Sequence, residues 1–253
     1  MSQQLILGDC LEEMARLEAG SIDHVIADPP YSPKTHNVLR RGLTDYPERK
    51  GSTARANRSR DLGFDAIDDS QRAALALAYA RVARRWVLIF TDDRGLPGWM
   101  SGIDASGIEY VRTGAWHKLG ATPQMTGDRP GNALEFVVVA HQTHPNGKPM
   151  QKRWNNGGHH NVWPCPIALD RAHNGARIHP TQKPLALMES LLLAFTDPGE
   201  LILDSHLGSG TTLVAAERTG RRGIGIERDP GHFERARRRI EGTREQTVLA
   251  LGG

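Results

Sequence analysis

The reading turns on Leu203-Asp204-Ser205-His206-Leu207-Gly208-Ser209-Gly210-Thr211-Thr212. The apolar run Leu201-Ile202-Leu203 ahead of it predicts a strand, and Thr211 to Thr219, with Gly220 after it, predicts a helix. Glycines at a strand-to-helix bend let a ligand approach the backbone, and the helix N-terminus favours an anionic group. The stretch is not a phosphate loop of the lysine type, because Gly210 is followed by Thr211. It also departs from the dinucleotide fingerprint, since Leu213 stands where the third glycine belongs. Gly223 to Ile226 predicts the next strand, and Glu227 ends it, placed to accept both hydroxyls of a ribose. The pattern asks for a nucleoside with a small anionic group. S-adenosylmethionine, with its adenine, ribose and carboxylate, meets that description.

Outward from this bend, strands and helices alternate. Residues 4–8 predict a strand, followed by a helical stripe of Leu11, Met14, Ala15 and Leu17. Asp23 to Ala27 predicts a strand that must stop at Pro29-Pro30. A helix over Asp69–Arg85, strands over 86–90, 108–117 and 134–140, a helix opened by Pro184 and running to Phe195, and a basic helix over about 231–241 complete the series. Such alternation implies an α/β fold, Rossmann-like, with a mostly parallel central sheet and helices on both faces. One domain over 1–253 is expected. It carries insertions at 32–63 and 141–178, both aperiodic and rich in turn residues.

The 253 residues are 38% hydrophobic and 24% charged, which excludes disorder, collagen and coiled coil. No apolar run reaches the roughly eighteen residues of a membrane span. The first residues carry no leader pattern, and two cysteines make no disulfide framework, so a cytoplasmic protein is expected. The formal net charge of +3 is unevenly spread. From Lys34 to Arg60 eight bases stand against two acids, and from His141 to Ile178 five stand against one. Two basic segments on an acidic body suggest a polyanionic partner.

Asp28-Pro29-Pro30-Tyr31 follows the second strand, and ligands of open α/β sheets bind beyond those strand ends. The Asp28 carboxylate and the Pro29 carbonyl are two acceptors at a spacing fixed by prolines, suited to the two N–H groups of an exocyclic amine. Tyr31 can stack on the ring that bears the amine, worth about 1–3 kcal/mol. Asp28, Asp204 and Glu227 are therefore expected at one edge of the sheet.

With these motifs together, the sequence resembles the β-group (permuted) amino DNA methyltransferases, the adenine-N6 and cytosine-N4 enzymes, over nearly the whole chain outside the basic insertions. Asp28-Pro29-Pro30-Tyr31 is similar to the family's catalytic motif. Gly8-Asp9 resembles the pair whose acid meets the cofactor adenine. His179-Pro180-Thr181-Gln182-Lys183-Pro184 resembles the segment beside the cofactor's methionine part. Asp204, His206, Gly208, Ser209, Gly210, Thr211 and Thr212 resemble the cofactor loop, and Glu227 the ribose acid. Val111 to Ala140, with Trp116, Lys118, Pro130 and Glu135, resembles less distinctive middle motifs. One departure stands out. The family usually has Pro-Phe after the first loop acid; this chain has Ser205-His206, which predicts a weaker or pH-sensitive cofactor site.

The resemblance implies methyl transfer from S-adenosylmethionine to a flipped-out base of double-stranded DNA, in a restriction–modification or orphan setting, with a homodimer among the family's assemblies. Asp at the first motif position goes mostly with adenine N6 and Ser with cytosine N4, so Asp28 implies adenine. Cytosine N4, and a DNA-binding protein on a decayed scaffold, are the alternatives. Lys34, Arg40, Arg41, Lys50, Arg55, Arg58 and Arg60 are expected along the DNA strand. Lys152, Arg153, Trp154, Asn155 and Asn156, in the region the family uses for target recognition, are expected on DNA as well. His159, His160, Cys165 and His173 match no standard zinc spacing, and no metal is expected.

Overall fold

The computed structural model describes residues 3–32, 66–121, 123, 125, 127–167 and 182–251. Its element order is β1 (Gln3–Leu7), α1 (Cys10–Arg16), β2 (His24–Ala27), α2 (Asp69–Val82), β3 (Trp86–Thr91), α3 (Leu96–Ser106) and β4 (Glu109–Leu119). Then come β5 (Leu134–His141), β6 (Val162–Pro166), α4 (Leu185–Phe195), β7 (Leu201–Asp204), α5 (Thr211–Arg218), β8 (Arg222–Glu227) and α6 (Pro230–Leu251). The eight strands form one sheet in the order β1-β8-β7-β2-β3-β5-β4-β6. In this sheet β5 runs antiparallel to both its neighbours, and the other pairings are parallel. This is the mostly parallel α/β architecture expected from the alternation of elements.

Both faces of the sheet are buried, which explains the unbroken apolar strands. Val25, Val87, Ile89, Val138 and Ala140 point to the face covered by α2 and α3 through Leu75, Tyr79, Trp99 and Ile103. Ile26, Leu88, Phe90, Val137 and Val139 point to the other, covered by Leu187, Met188, Leu191 and Leu192 of α4. The period of two along each strand sorts alternate side chains to opposite layers.

Two elements escape the sequence reading. The first is α3, whose Pro97, Gly98 and Gly102 argue against a helix on propensity. Gly102 is there for packing: a Cβ would come within 3.3 Å of the Ala73 Cα and the Ala76 Cβ on α2. The second is β6, inside the 141–178 segment read as aperiodic. Its two prolines are tolerated because it is the edge strand, and Trp163 and Cys165 point inward while Val162, Pro164 and Pro166 are exposed. The helix expected over 69–85 ends at Val82, and the last helix extends past 241 to Leu251. Among the described residues, no helix is long and apolar enough to cross a membrane.

Candidate active site

The chain leaves β7 towards β8 on one side and β2 towards β3 on the other, so the strand order reverses between β2 and β7. That reversal opens a crevice beyond the strand ends, where ligands of such sheets bind. Val25 pairs with Leu203, so Asp28 and Asp204 emerge from neighbouring strands. Gly8 follows β1, and its N–H donates to the Glu227 carbonyl at 2.9 Å, bringing Asp9 beside the end of β8. A cavity of about 860 Å³ results, lined by Asp9, Asp28-Pro29-Pro30-Tyr31, Lys183, Asp204 to Ser209, Thr211, Thr212 and Glu227. The proline-locked turn and the glycine bend thus share one cavity.

The glycine bend is held from three sides. Gly210 takes φ +76° as the N-cap of α5, a conformation that costs an L side chain about 1–2 kcal/mol. A Cβ there would also stand 3.1 Å from the Ala236 Cβ. Glu227 accepts the Gly208 N–H at 2.8 Å and the Asp229 N–H at 2.9 Å, which fixes its carboxylate against the bend. Arg239 of α6 donates to the Ser209 carbonyl at 3.1 Å and to Thr211 Oγ1 at 2.9 Å. The sequence marks this helix only as basic; the structure uses its Arg239 to clamp the loop. Asp204 accepts the His206 N–H at 3.1 Å. Burial, with Asp28 and Glu227 as neighbouring like charges, pushes its carboxyl up to about 7.

Ser205 and His206 join a polar chain through the cavity wall. The buried Tyr79 hydroxyl lies 2.8 Å from Ser205 Oγ, which lies 2.9 Å from His206 Nδ1, and His206 Nε2 lies 3.7 Å from Cys10 Sγ. Tyr79 is fully buried, and Ser205 is the hydrogen-bond partner of its hydroxyl. Burial, with Arg228 nearby, pulls the His206 pKa down to about 4, so the ring is neutral near pH 7.

On the opposite side of the cavity five polar side chains meet. Lys183 Nζ donates to Asp28 Oδ2 at 2.6 Å and to Tyr31 Oη at 3.0 Å, and lies 3.2 Å from Glu135 Oε2. Tyr31 Oη lies 2.7 Å from Glu135 Oε2 and 3.1 Å from Asp28 Oδ1. Lys118 pairs with Glu135 at 2.7 Å. Lys183 is 7% exposed, with the rings of Tyr31 and Phe90 at 5.3 and 5.0 Å. Burial raises the Asp28 pKa against the pull of Lys183. Burial would raise Glu135 too, but Lys183 and Lys118 outweigh it and bring that carboxyl down to about 2.

Glu135 and Lys118 received no role from the sequence. They sit on strands β5 and β4, where Trp116 pairs with Glu135 and Lys118 is the next residue on the same face. Only the hairpin register, across a connection of fourteen residues, brings them together. Ser32 and Asp92, bonded to each other beside the cavity, were likewise not anticipated. Lys183 was expected beside the cofactor; the structure sets it on Asp28. Pro184 is the N-cap of α4, directly behind it.

The expected DNA contacts divide. Lys34, Arg40, Arg41, Lys50, Arg55, Arg58 and Arg60 lie outside the described residues, as do His173 and the His179-Pro180-Thr181 part of the Lys183 segment. Lys152 to Asn156 are described, and the structure does not bring them to the cavity. They lie at the opposite edge of the sheet, by the start of β3 and the end of α4. Trp86 at the start of β3 donates its indole N–H to the Arg153 carbonyl at 2.8 Å. Trp154 packs edge-on against Phe195 at 4.7 Å. The Asn155 side-chain amide reaches the Leu193 and Thr196 carbonyls at 3.3 and 2.9 Å. Lys152 pairs with Glu109 at 2.7 Å, and Arg153 with Asp197 at 3.0 Å. Residue types suited to base reading are here used to fasten α4 to the sheet.

Comparison with known proteins gives a consistent picture. The family model described as DNA methylase, for N6 and N4 methyltransferases, matches residues 22–238. The type II methyltransferase M2.DpnII of Streptococcus pneumoniae is 26% identical over 95% of this chain and 90% of its own. The type II methyltransferase M.HinfI of Haemophilus influenzae is 26% identical over 93% of this chain and 67% of its own. Among solved structures, the M1.HpyAVI–SAM complex superposes with a TM-score of 0.66 at 22% identity, over 94% of this chain and 99% of that one. The cytosine-N4-specific PvuII DNA methyltransferase superposes with a TM-score of 0.67 at 16% identity, over 97% of this chain and 93% of that one. The match over residues 22–238 spans the two turns that share the cavity, and the chain belongs to the N6/N4 DNA methylase family.

Proposed function

We propose that this protein transfers a methyl group from S-adenosylmethionine to the exocyclic N6 of an adenine flipped out of double-stranded DNA. The observation that carries the reading is the single cavity shared by the Asp28-Pro29-Pro30-Tyr31 turn and the Asp204–Thr212 bend. The donor set on the bend's side suits the cofactor. Asp9, Asp204 and Glu227 are acceptors for hydroxyl, amino and ammonium groups, and Gly208 keeps a side chain away from the approach. When bound, S-adenosylmethionine supplies a methyl group activated by a sulfonium.

The protein's part is to ready the amine. The lone pair of an aromatic amine is delocalised into its ring. Hydrogen bonds from its N–H groups to the Asp28 carboxylate and the Pro29 carbonyl push density back onto nitrogen and favour a tetrahedral geometry. The lone pair is then free for in-line attack, and no covalent enzyme intermediate is needed. Positioning of this kind supplies about 7–11 kcal/mol in well-oriented reactions. Asp28 stabilises the positive charge developing on nitrogen and accepts the proton released after transfer. The Tyr31 ring stacks on the extruded base, offsetting part of the few kcal/mol that extrusion costs.

Asp rather than Ser at position 28 favours adenine over cytosine, by the family pattern set out above. The likeness to a cytosine-N4 enzyme at 16% identity is a likeness of fold and does not choose the base. The names of the curated relatives fit a type II modification enzyme, and we read Lys34 to Arg60 as the DNA-tracking segment. The test is Asp28→Ala. Transfer to DNA falls by about a hundredfold to a thousandfold, while calorimetry shows S-adenosylmethionine still binding. Full activity in the variant contradicts the role given to Asp28.

A further inference from the structure

We propose that Lys183 is a positioning residue: its ammonium, anchored by Glu135, keeps Asp28 a carboxylate and aims it into the cavity for the incoming amine. The inference rests on the amine-methylating reading above and extends it to a lysine and a glutamate that the reading does not use.

The geometry is specific. One phenolic proton on Tyr31 cannot serve both carboxylates, and the 2.7 Å contact goes to Glu135 while Asp28 Oδ1 is 3.1 Å away. That leaves the 2.6 Å bond from Lys183 as the firm bond on Asp28. An Asp28 left without its cation beside Glu135 holds a proton more readily, and a protonated acid no longer offers a full acceptor to an amine N–H. Lys183 is itself too buried to stand alone, at 7% exposure. Glu135 at 3.2 Å, held in turn by Lys118 at 2.7 Å, supplies the second negative partner that keeps it charged. Burial lowers the lysine's pKa, but the two carboxylates outweigh it and raise it overall. Among the described residues, the groups facing Asp28 are thus Tyr31 on its own turn, Lys183 ahead of α4, Glu135 on β5 with Lys118 on β4 behind it, and Asp204 on β7. Lys183 is the one cation among them in direct contact with Asp28.

Lys183 and Glu135 therefore act on Asp28 with opposite sign. Removing the cation leaves two carboxylates bridged by one phenol, so Asp28 holds its proton to higher pH. Removing the Glu135 charge leaves Lys183 to Asp28 alone, so Asp28 loses its proton at lower pH. A charge within 4–6 Å moves a carboxyl by about 1–3 pH units.

The experiment follows the Asp28 carboxyl by carbon-13 NMR in the ligand-free wild type, Lys183→Met and Glu135→Gln proteins, then measures kcat against pH on DNA. We expect the Asp28 titration and the acid limb of kcat to move up in Lys183→Met, with activity recovering at alkaline pH, and to move down in Glu135→Gln. Shifts in the same direction, unshifted titrations, or a Lys183→Met protein that stays folded but inactive at every pH overturn the proposal. Glu135→Gln keeps the test decisive should Lys183→Met not fold. The NMR titration needs neither cofactor nor DNA, so its outcome stands apart from whether the wild type methylates DNA at all.

Discussion

His206 is held neutral by its surroundings, and that neutrality has a cost in acid. Its pKa of about 4 in the folded chain lies below the ordinary 6.5. The unfolded chain therefore binds a proton near pH 6 that the folded chain refuses, and acid favours unfolding. The contribution is complete above pH 6.5 and is lost as pH falls towards 4, amounting to about 2 kcal/mol by pH 5. His206→Phe removes this term. Denaturant unfolding at pH 7 and pH 5 is expected to show the wild type losing about 2 kcal/mol more than the variant over that interval; equal losses contradict the assignment. By the same token the ring presents an uncharged flat face to the cavity from pH 6 to 8. We read it as a stand-in for the family's aromatic whose own charge does not change over that range. Ser205 was legible as a departure from the family. Its use was not, because Tyr79 comes from α2, 126 residues away in the chain.

Among the elements, α4 shows a packing use of polar and aromatic residues that residue types alone do not disclose. Asn155 and Trp154 look like base readers in a basic segment. In the fold the Asn155 side-chain amide donates to the carbonyls at the end of α4, which have no partner within the helix, and Trp154 covers Phe195. Asn155→Ala is expected to lower stability by about 1 kcal/mol and to leave DNA affinity unchanged, read by denaturant unfolding and by fluorescence anisotropy with duplex DNA. A loss of DNA affinity at unchanged stability contradicts this. Where local pattern and packing agree, as in the unbroken apolar strands β2, β3 and β5, the elements were legible to within a residue or two. Where packing overrides pattern they were not. α3 keeps glycine at 102 for contact with α2, and β6 keeps prolines that only an edge strand accepts.

At the scale of the whole molecule, the sheet order makes the site. Asp28 and Asp204 are 176 residues apart in sequence yet end neighbouring strands, because the chain reverses direction across the sheet between β2 and β7. That convergence was legible, since two ligand-type turns at the C-terminal ends of parallel strands must face the same edge. The Glu135–Lys118 support behind it was not, because it depends on the register of β4 against β5. The support lies on the side of Asp28, and the glycine bend lies on the other, so the cavity has an amine end and a cofactor end. The claim that these ends work together is tested most directly by incubating the protein with methyl-labelled S-adenosylmethionine and duplex DNA, digesting to nucleosides and identifying the labelled one by mass spectrometry. The account predicts label in N6-methyladenine; label in N4-methylcytosine contradicts the choice of base, and no labelled nucleoside contradicts the shared active site itself.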